Sequence, residues 1–234
     1  MGSCARNAWT RKQEWRMWDA LLPPEVIVVE ATESMWSCPP TPAEGKFIEK
    51  AVPSRRREFQ AGRAAARVAL RMLGVEDFDL LPGDKRQPLW PPDIVGSITH
   101  AATHCAVAVG RKAEVLALGI DVERYEPLRA ELLPLICSPV EQRRLRDCGG
   151  HSPGVLAKAV FSAKESFYKA YFPEAQTFLD FHDVDVEIRP EQHAFFASLA
   201  RDDLPALLGR RQASGRVAFH DGRIWTSLAI LPSA

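Results

Sequence analysis

Gly119-Ile120-Asp121-Val122-Glu123 follows the apolar run Val115-Leu116-Ala117-Leu118. Apolar residues alternate with acids, and this period of two predicts a strand over Leu116 to Glu123. Ile120 and Val122 turn into a core, while Asp121 and Glu123 share the other face. Two neighbouring carboxylates repel each other, and burying them without a partner is costly. A hard cation removes both penalties, because Mg²⁺ takes one or two carboxylates together with water and substrate phosphates. A surface strand carrying two solvated acids fits the same five residues.

Further along, Phe161-Ser162-Ala163-Lys164-Glu165-Ser166-Phe167-Tyr168-Lys169 is helical by pattern, with Ala163, Phe167, Ala170 and Tyr171 in an apolar stripe. Glu165 and Lys169 are four apart, so they are neighbours on roughly the opposite face and supply a third acid and a cation. An ordinary surface ion pair has the same spacing.

Working outward, Val26-Ile27-Val28-Val29 reads as a short strand after a polar, Trp-bearing lead-in over 1–20. A long helix is expected from Pro53 or Ser54 to Leu73, with Ser54 as its cap and Gly74 as its stop. Strands follow at 94–99 and 105–110, with His100 to His104 as the loop between them. A short helix is expected at 139–146, a flexible loop at 149–154, a helix at 155–172 and four strands between 181 and 231. Similar runs in both halves favour an α+β fold over a doubly wound parallel sheet.

Thirty Lys and Arg balance thirty Asp and Glu, which argues against nucleic-acid binding by bulk charge. No apolar run approaches the length of a membrane span, and charges break Trp9 to Trp18, so no signal peptide is read there. The five cysteines are odd in number and lack CxxC spacing, which fits free thiols in a reducing cytoplasm. No GxGxxG or Walker A loop is present.

The pair G-I-D-V-E and F-S-A-K-E-S-F-Y-K resembles the two signatures of the Sfp-type 4′-phosphopantetheinyl transferases. Three more segments, in the right order, resemble the branch of enterobactin synthase component D. They are Arg55-Arg56-Arg57-Glu58-Phe59-Gln60-Ala61-Gly62-Arg63, the loop Gly83-Asp84-Lys85-Arg86-Gln87-Pro88-Leu89-Trp90-Pro91, and Gly96-Ser97-Ile98-Thr99-His100. The resemblance implies two similar α+β halves related by a pseudo-two-fold, residues 1–118 and 119–234, with coenzyme A in the cleft between them. It also implies transfer of 4′-phosphopantetheine from coenzyme A to a serine of an apo acyl, peptidyl or aryl carrier protein, leaving adenosine 3′,5′-bisphosphate.

By the same resemblance, Asp121, Glu123 and Glu165 hold Mg²⁺, or Mn²⁺ in its place. Glu165 is base, metal ligand or both, and Lys169 neutralises phosphate charge. Arg55, Arg63, Lys85, Arg86, Thr99 and His100 are expected on the phosphates of coenzyme A. A basic solvent face is the competing reading of the arginines, and a structural role that of His100. Arg143, Arg144 and Leu145 are expected to meet the carrier, and a monomer is the default. Removing Asp121 or Glu165 is expected to stop transfer and leave the fold intact. A Mg²⁺-dependent phosphohydrolase and a non-catalytic module that binds coenzyme A or a carrier are the alternatives.

Overall fold

The computed structural model describes residues 17–147 and 150–232, so the lead-in before Met17 and the loop positions Cys148 and Gly149 lie outside the described residues. The elements begin with α1 (Met17–Leu21), β1 (Ile27–Glu30) and a single turn, α2 (Pro42–Gly45). Next come α3 (Pro53–Met72), β2 (Ile94–Ala101), β3 (His104–Arg111) and β4 (Ala117–Arg124). After them follow α4 (Leu133–Ile136), α5 (Pro139–Asp147), α6 (Pro153–Ala175), β5 (Val184–Arg189), β6 (Ala194–Leu199), β7 (Gln212–His220) and β8 (Arg223–Ile230).

The strands make two antiparallel sheets, β1-β3-β2 and β4-β8-β7-β6-β5, so the fold is α+β. α3 covers the first sheet, packing Ala65, Ala66, Ala69 and Leu70 on Val29, Val107 and Val109. α6 covers the second, with Leu156, Phe167 and Tyr171 among Val184, Phe195, Ile224 and Leu228. Helix and sheet come so close at Gly119 that a Cβ there would stand 1.9 Å from the backbone oxygen of Ser166. Only glycine permits that contact.

One local device occurs in both halves. Thr41-Pro42-Ala43-Glu44 and Ser138-Pro139-Val140-Glu141 each form a capping box, in which hydroxyl and carboxylate satisfy each other's backbone N–H groups. In each case the fully buried carboxylate then accepts a distant backbone N–H and a basic side chain from the long helix. Glu44 takes Leu80 N at 3.2 Å and Arg67 Nη1 at 2.8 Å. Glu141 takes Val186 N at 2.7 Å and Lys164 Nζ at 2.9 Å. Each carboxylate offsets its own burial with three donors, and the second also occupies an N–H of edge strand β5.

The edge strands β2 and β4 face each other across the two sheets and are joined by side chains. Ser97 Oγ accepts the N–H of Ile120 at 3.0 Å, and Thr99 Oγ1 accepts that of Val122 at 2.9 Å. α1 also crosses the boundary, since Trp18 meets Trp225 edge-on at 5.0 Å and Ser227 donates to the Leu21 carbonyl at 2.6 Å.

Several local expectations change. Ser54 does not cap α3, because Pro53 occupies the first helical position and Val52 the cap, with no side-chain hydrogen bond. Gly74 does end the helix, at φ +77°. Ser152 accepts from Val155 N and starts α6 at Pro153, so 152–154 belong to the helix start. β2 and β3 extend until only Ala102 and Thr103 remain as the turn, with Ala102 at φ +52°. His104 is therefore a strand residue. It lies 4.9 Å from the Trp225 ring with Nε2 buried and unbonded, and burial pushes its pKa down to about 4.

A histidine whose folded pKa is lowered contributes stability that is present above pH 6.5 and is lost as pH falls towards 4, because the unfolded chain takes up the proton first. The loss attributable to His104 is at most about 3 kcal/mol. In denaturation curves between pH 7 and 4 the parent is expected to lose stability relative to His104→Phe, which has no such proton to take up. Parallel curves would show that His104 carries none of the acid sensitivity.

Candidate active site

The face of β4 that holds Asp121 and Glu123 is covered by one stripe of α6, Lys158, Ser162, Glu165 and Lys169, spaced as successive turns. Asp121 is the junction. Its Oδ1 accepts from Lys169 Nζ at 2.7 Å and Thr99 Oγ1 at 3.1 Å, and its Oδ2 from Ser162 Oγ at 2.8 Å. One carboxylate thus ties together both sheets and the helix. Lys169 also donates to the Ile120 carbonyl at 3.1 Å.

Glu123 pairs with Lys158 at 2.9 Å. Burial pushes its pKa up against the lowering pull of that lysine, and Asp121 adds to the rise. Glu165 is half-buried and makes no hydrogen bond or ion pair among the described residues. Burial raises its pKa most; Lys169 opposes this, while Asp121 and Glu123 push the same way. The acids lie within electrostatic reach of one another, and a donor set of hard carboxylates suits a divalent cation. As oriented here, two of them are closed by lysines, and no group of three His, Cys, Asp or Glu side chains among the described residues is arranged to hold a metal ion.

A basic region adjoins these acids. Arg55 Nη1 stands 3.1 Å from His100 Nε2 and 3.3 Å from Glu58 Oε2. Burial lowers the His100 pKa, with Glu58 opposing and Arg55 and then Lys169 reinforcing the shift, so a neutral ring accepts from Arg55. Arg63, two turns along α3, is 6% exposed and stacks 4.3 Å over the Phe59 ring. Its Nε is buried without a partner, and burial brings its pKa down to about 10. Beside this group lies a pocket of about 470 Å³ whose lining includes Trp36, Ser54, Arg57, Glu58 and Thr103.

Some expected residues are placed elsewhere. Thr99 is buried with its hydroxyl engaged by Val122 and Asp121, so it joins the sheets and is not free to meet phosphates. Lys85 and Arg86 stand exposed on the turn after Gly83, and no hydrogen bond or ion pair joins their side chains to the cluster among the described residues. Leu145 is buried and Arg144 pairs with Asp185 at 2.7 Å, leaving Arg143 exposed, as are Leu135 and Val140. The face of α6 opposite its apolar stripe is turned to β4 and not to solvent. Ser97, Lys158, Ser162 and Glu58 were not anticipated. Counting back from Lys169 by helical turns reaches Lys158 and Ser162, and Ser97 lies two before Thr99 on the same side of its strand.

Family models match both halves. Residues 43–110 match the 4′-phosphopantetheinyl transferase N-terminal domain, and residues 117–218 the 4′-phosphopantetheinyl transferase superfamily. The chain is 36% identical to 4′-phosphopantetheinyl transferase Svp of Streptomyces mobaraensis over 82% of this chain and 79% of that protein. It is 37% identical to 4′-phosphopantetheinyl transferase PptT of Mycobacterium tuberculosis over 71% and 75%, respectively. It is 38% identical to enterobactin synthase component D of Escherichia coli (strain K12) over 59% and 65%.

Proposed function

The chain belongs to the 4′-phosphopantetheinyl transferase superfamily and is an enzyme of that kind, and on that premise we propose the following reaction. 4′-Phosphopantetheine moves from coenzyme A to a serine of an apo acyl, peptidyl or aryl carrier protein, and adenosine 3′,5′-bisphosphate leaves. The reading extends to a monomeric protein acting in the cytoplasm. The carrying observation is Glu165, a half-buried carboxylate with no hydrogen-bond or ion-pair partner among the described residues, set beside Asp121, Glu123 and Lys169.

The carrier serine oxygen forms a bond to the β-phosphorus of coenzyme A while the pyrophosphate P–O bond breaks towards the nucleotide. Chemistry of this kind needs alignment and charge neutralisation more than covalent help. Glu165 takes the serine proton, since its surroundings favour the protonated form and no competing donor occupies it. Lys169, one turn on, stands where charge accumulates on the pyrophosphate. Asp121, Glu123 and Glu165 would hold Mg²⁺, with Mn²⁺ as a substitute, and the ion would neutralise the phosphate oxygens. Arg55, Arg63 and His100 bind the nucleotide end, for which planar guanidinium groups are suited. The halves divide the work accordingly, with 1–118 holding the nucleotide and 119–234 the reacting groups. Arg143, with exposed Leu135 and Val140, faces the carrier.

Arg63→Met keeps the packing volume and loses the buried donors. The KM for coenzyme A is expected to rise about 10–100-fold, the loss of one charge-assisted contact, while that for 3′-dephospho-coenzyme A stays unchanged. Equal effects on both substrates would detach Arg63 from the 3′-phosphate. The function itself is tested by intact-mass measurement of a panel of apo carrier domains incubated with the protein, coenzyme A and Mg²⁺, with and without EDTA. The expected result is one phosphopantetheine added, only with metal. Hydrolysis of coenzyme A without loading would favour the phosphohydrolase, and binding without either reaction the non-catalytic module.

A further inference from the structure

Lys158 has no part in the chemistry above, yet it occupies Glu123. Its Nζ stands 2.9 Å from Glu123 Oε2, the two side chains are 16% and 22% exposed, and the ammonium lies 5.5 Å from the centre of the Phe161 ring. It is two helical turns from Glu165 on the stripe that faces β4. Such a pair differs from a solvated surface bridge, because water is largely excluded and the aromatic ring limits where the ammonium can go. The site holds three acids against Lys158 and Lys169. Lys169 is held by both Asp121 and the Ile120 carbonyl, whereas no second acceptor holds Lys158 among the described residues.

We propose that Lys158 is the resident counter-cation of Glu123, neutralising the site when no metal is bound and giving up that carboxylate when a divalent cation arrives. Lys158 thereby sets the strength of the metal response: a singly charged, tethered cation competes with a doubly charged, free one for the same oxygens. The proposal rests on the reading that Glu123 is a metal ligand.

The test is thermal melting of the parent, Lys158→Met, Lys158→Arg and the double variant Lys158→Met with Glu123→Gln, in EDTA and in Mn²⁺, without coenzyme A. Lys158→Met is expected to melt roughly 3–6 °C below the parent in EDTA, because Glu123 loses its partner. Mn²⁺ should return most of that loss by binding the folded state, a larger gain than the parent shows. Lys158→Arg should behave as the parent, and the double variant should show no such gain. Equal Mn²⁺ responses in parent and Lys158→Met overturn the proposal, and if carrier loading still requires metal, the reading of the three acids survives. An enlarged response that persists in the double variant, which keeps Asp121 and Glu165, places the gain away from Glu123 and overturns both the proposal and the place of Glu123 among the ligands.

Discussion

Asp121→Ala is expected to reduce transfer by at least about 10³-fold and to destabilise the fold by about 3 kcal/mol. The first effect follows from losing a carboxylate where pyrophosphate charge must be balanced. The second follows from the hydrogen bonds. Asp121 is the common acceptor for Lys169, Thr99 and Ser162, groups from α6 and from the neighbouring sheet. The side chains of the ion pair are 8% and 25% exposed, so removing one partner leaves a poorly hydrated charge without compensation. Losing activity with the fold intact, the outcome the residues alone suggest, is therefore not expected here. Asp121→Asn separates the two effects, since an amide oxygen still accepts from Lys169 and Thr99 while the charge is gone. It should keep most of the stability and little of the turnover. Chemical denaturation and carrier-loading rates on both variants check this, and an unchanged midpoint for Asp121→Ala would contradict the junction.

Much of this was legible in the residues, for a physical reason. Strands of period two and helices of period 3.6 declare themselves by their apolar faces, and those of β4 and α6 are buried as the patterns indicate; their polar faces are closed as well, against each other, which the patterns do not show. Pairing across long distances left weaker marks. Nothing local to Ser97 or Thr99 says that their hydroxyls replace backbone carbonyls at the edge of another sheet. By resemblance alone, Thr99 therefore reads as a phosphate contact. His104 looked like a loop residue because its neighbours Ala102 and Thr103 carry no turn signal, and the tight turn depends on a positive φ at Ala102. Lys158 lies seven residues before Glu165, beyond the segment whose pattern drew attention, and becomes visible only when the helix is laid against β4. The repeated capping box, in contrast, is readable in both halves as Thr or Ser, Pro, any residue, Glu.

Glu165→Gln is expected to separate activity from stability in the opposite direction. Glu165 has no donor to lose among the described residues, and burial and its two acidic neighbours disfavour its charge. A neutral amide of the same shape removes that repulsion. The variant should melt higher by roughly 2–4 °C, the shift that about 1 kcal/mol produces in a chain of this size. Transfer should fall by about 10²–10⁴-fold, the usual contribution of a positioned base. The pH dependence follows from the same cause. Without metal, a carboxyl whose folded pKa is raised costs stability as pH rises past the ordinary carboxylate range, so in EDTA the melting advantage of Glu165→Gln over the parent should grow with pH. Carrier-loading rates, beside melting curves of the two proteins across pH in EDTA, measure both. If Glu165→Gln is less stable than the parent, Glu165 has a partner in solution and its charge is not strained. If it turns over normally, the proton goes to another group, and Asp121, with Lys169 already hydrogen-bonded to it, is poorly placed to take it.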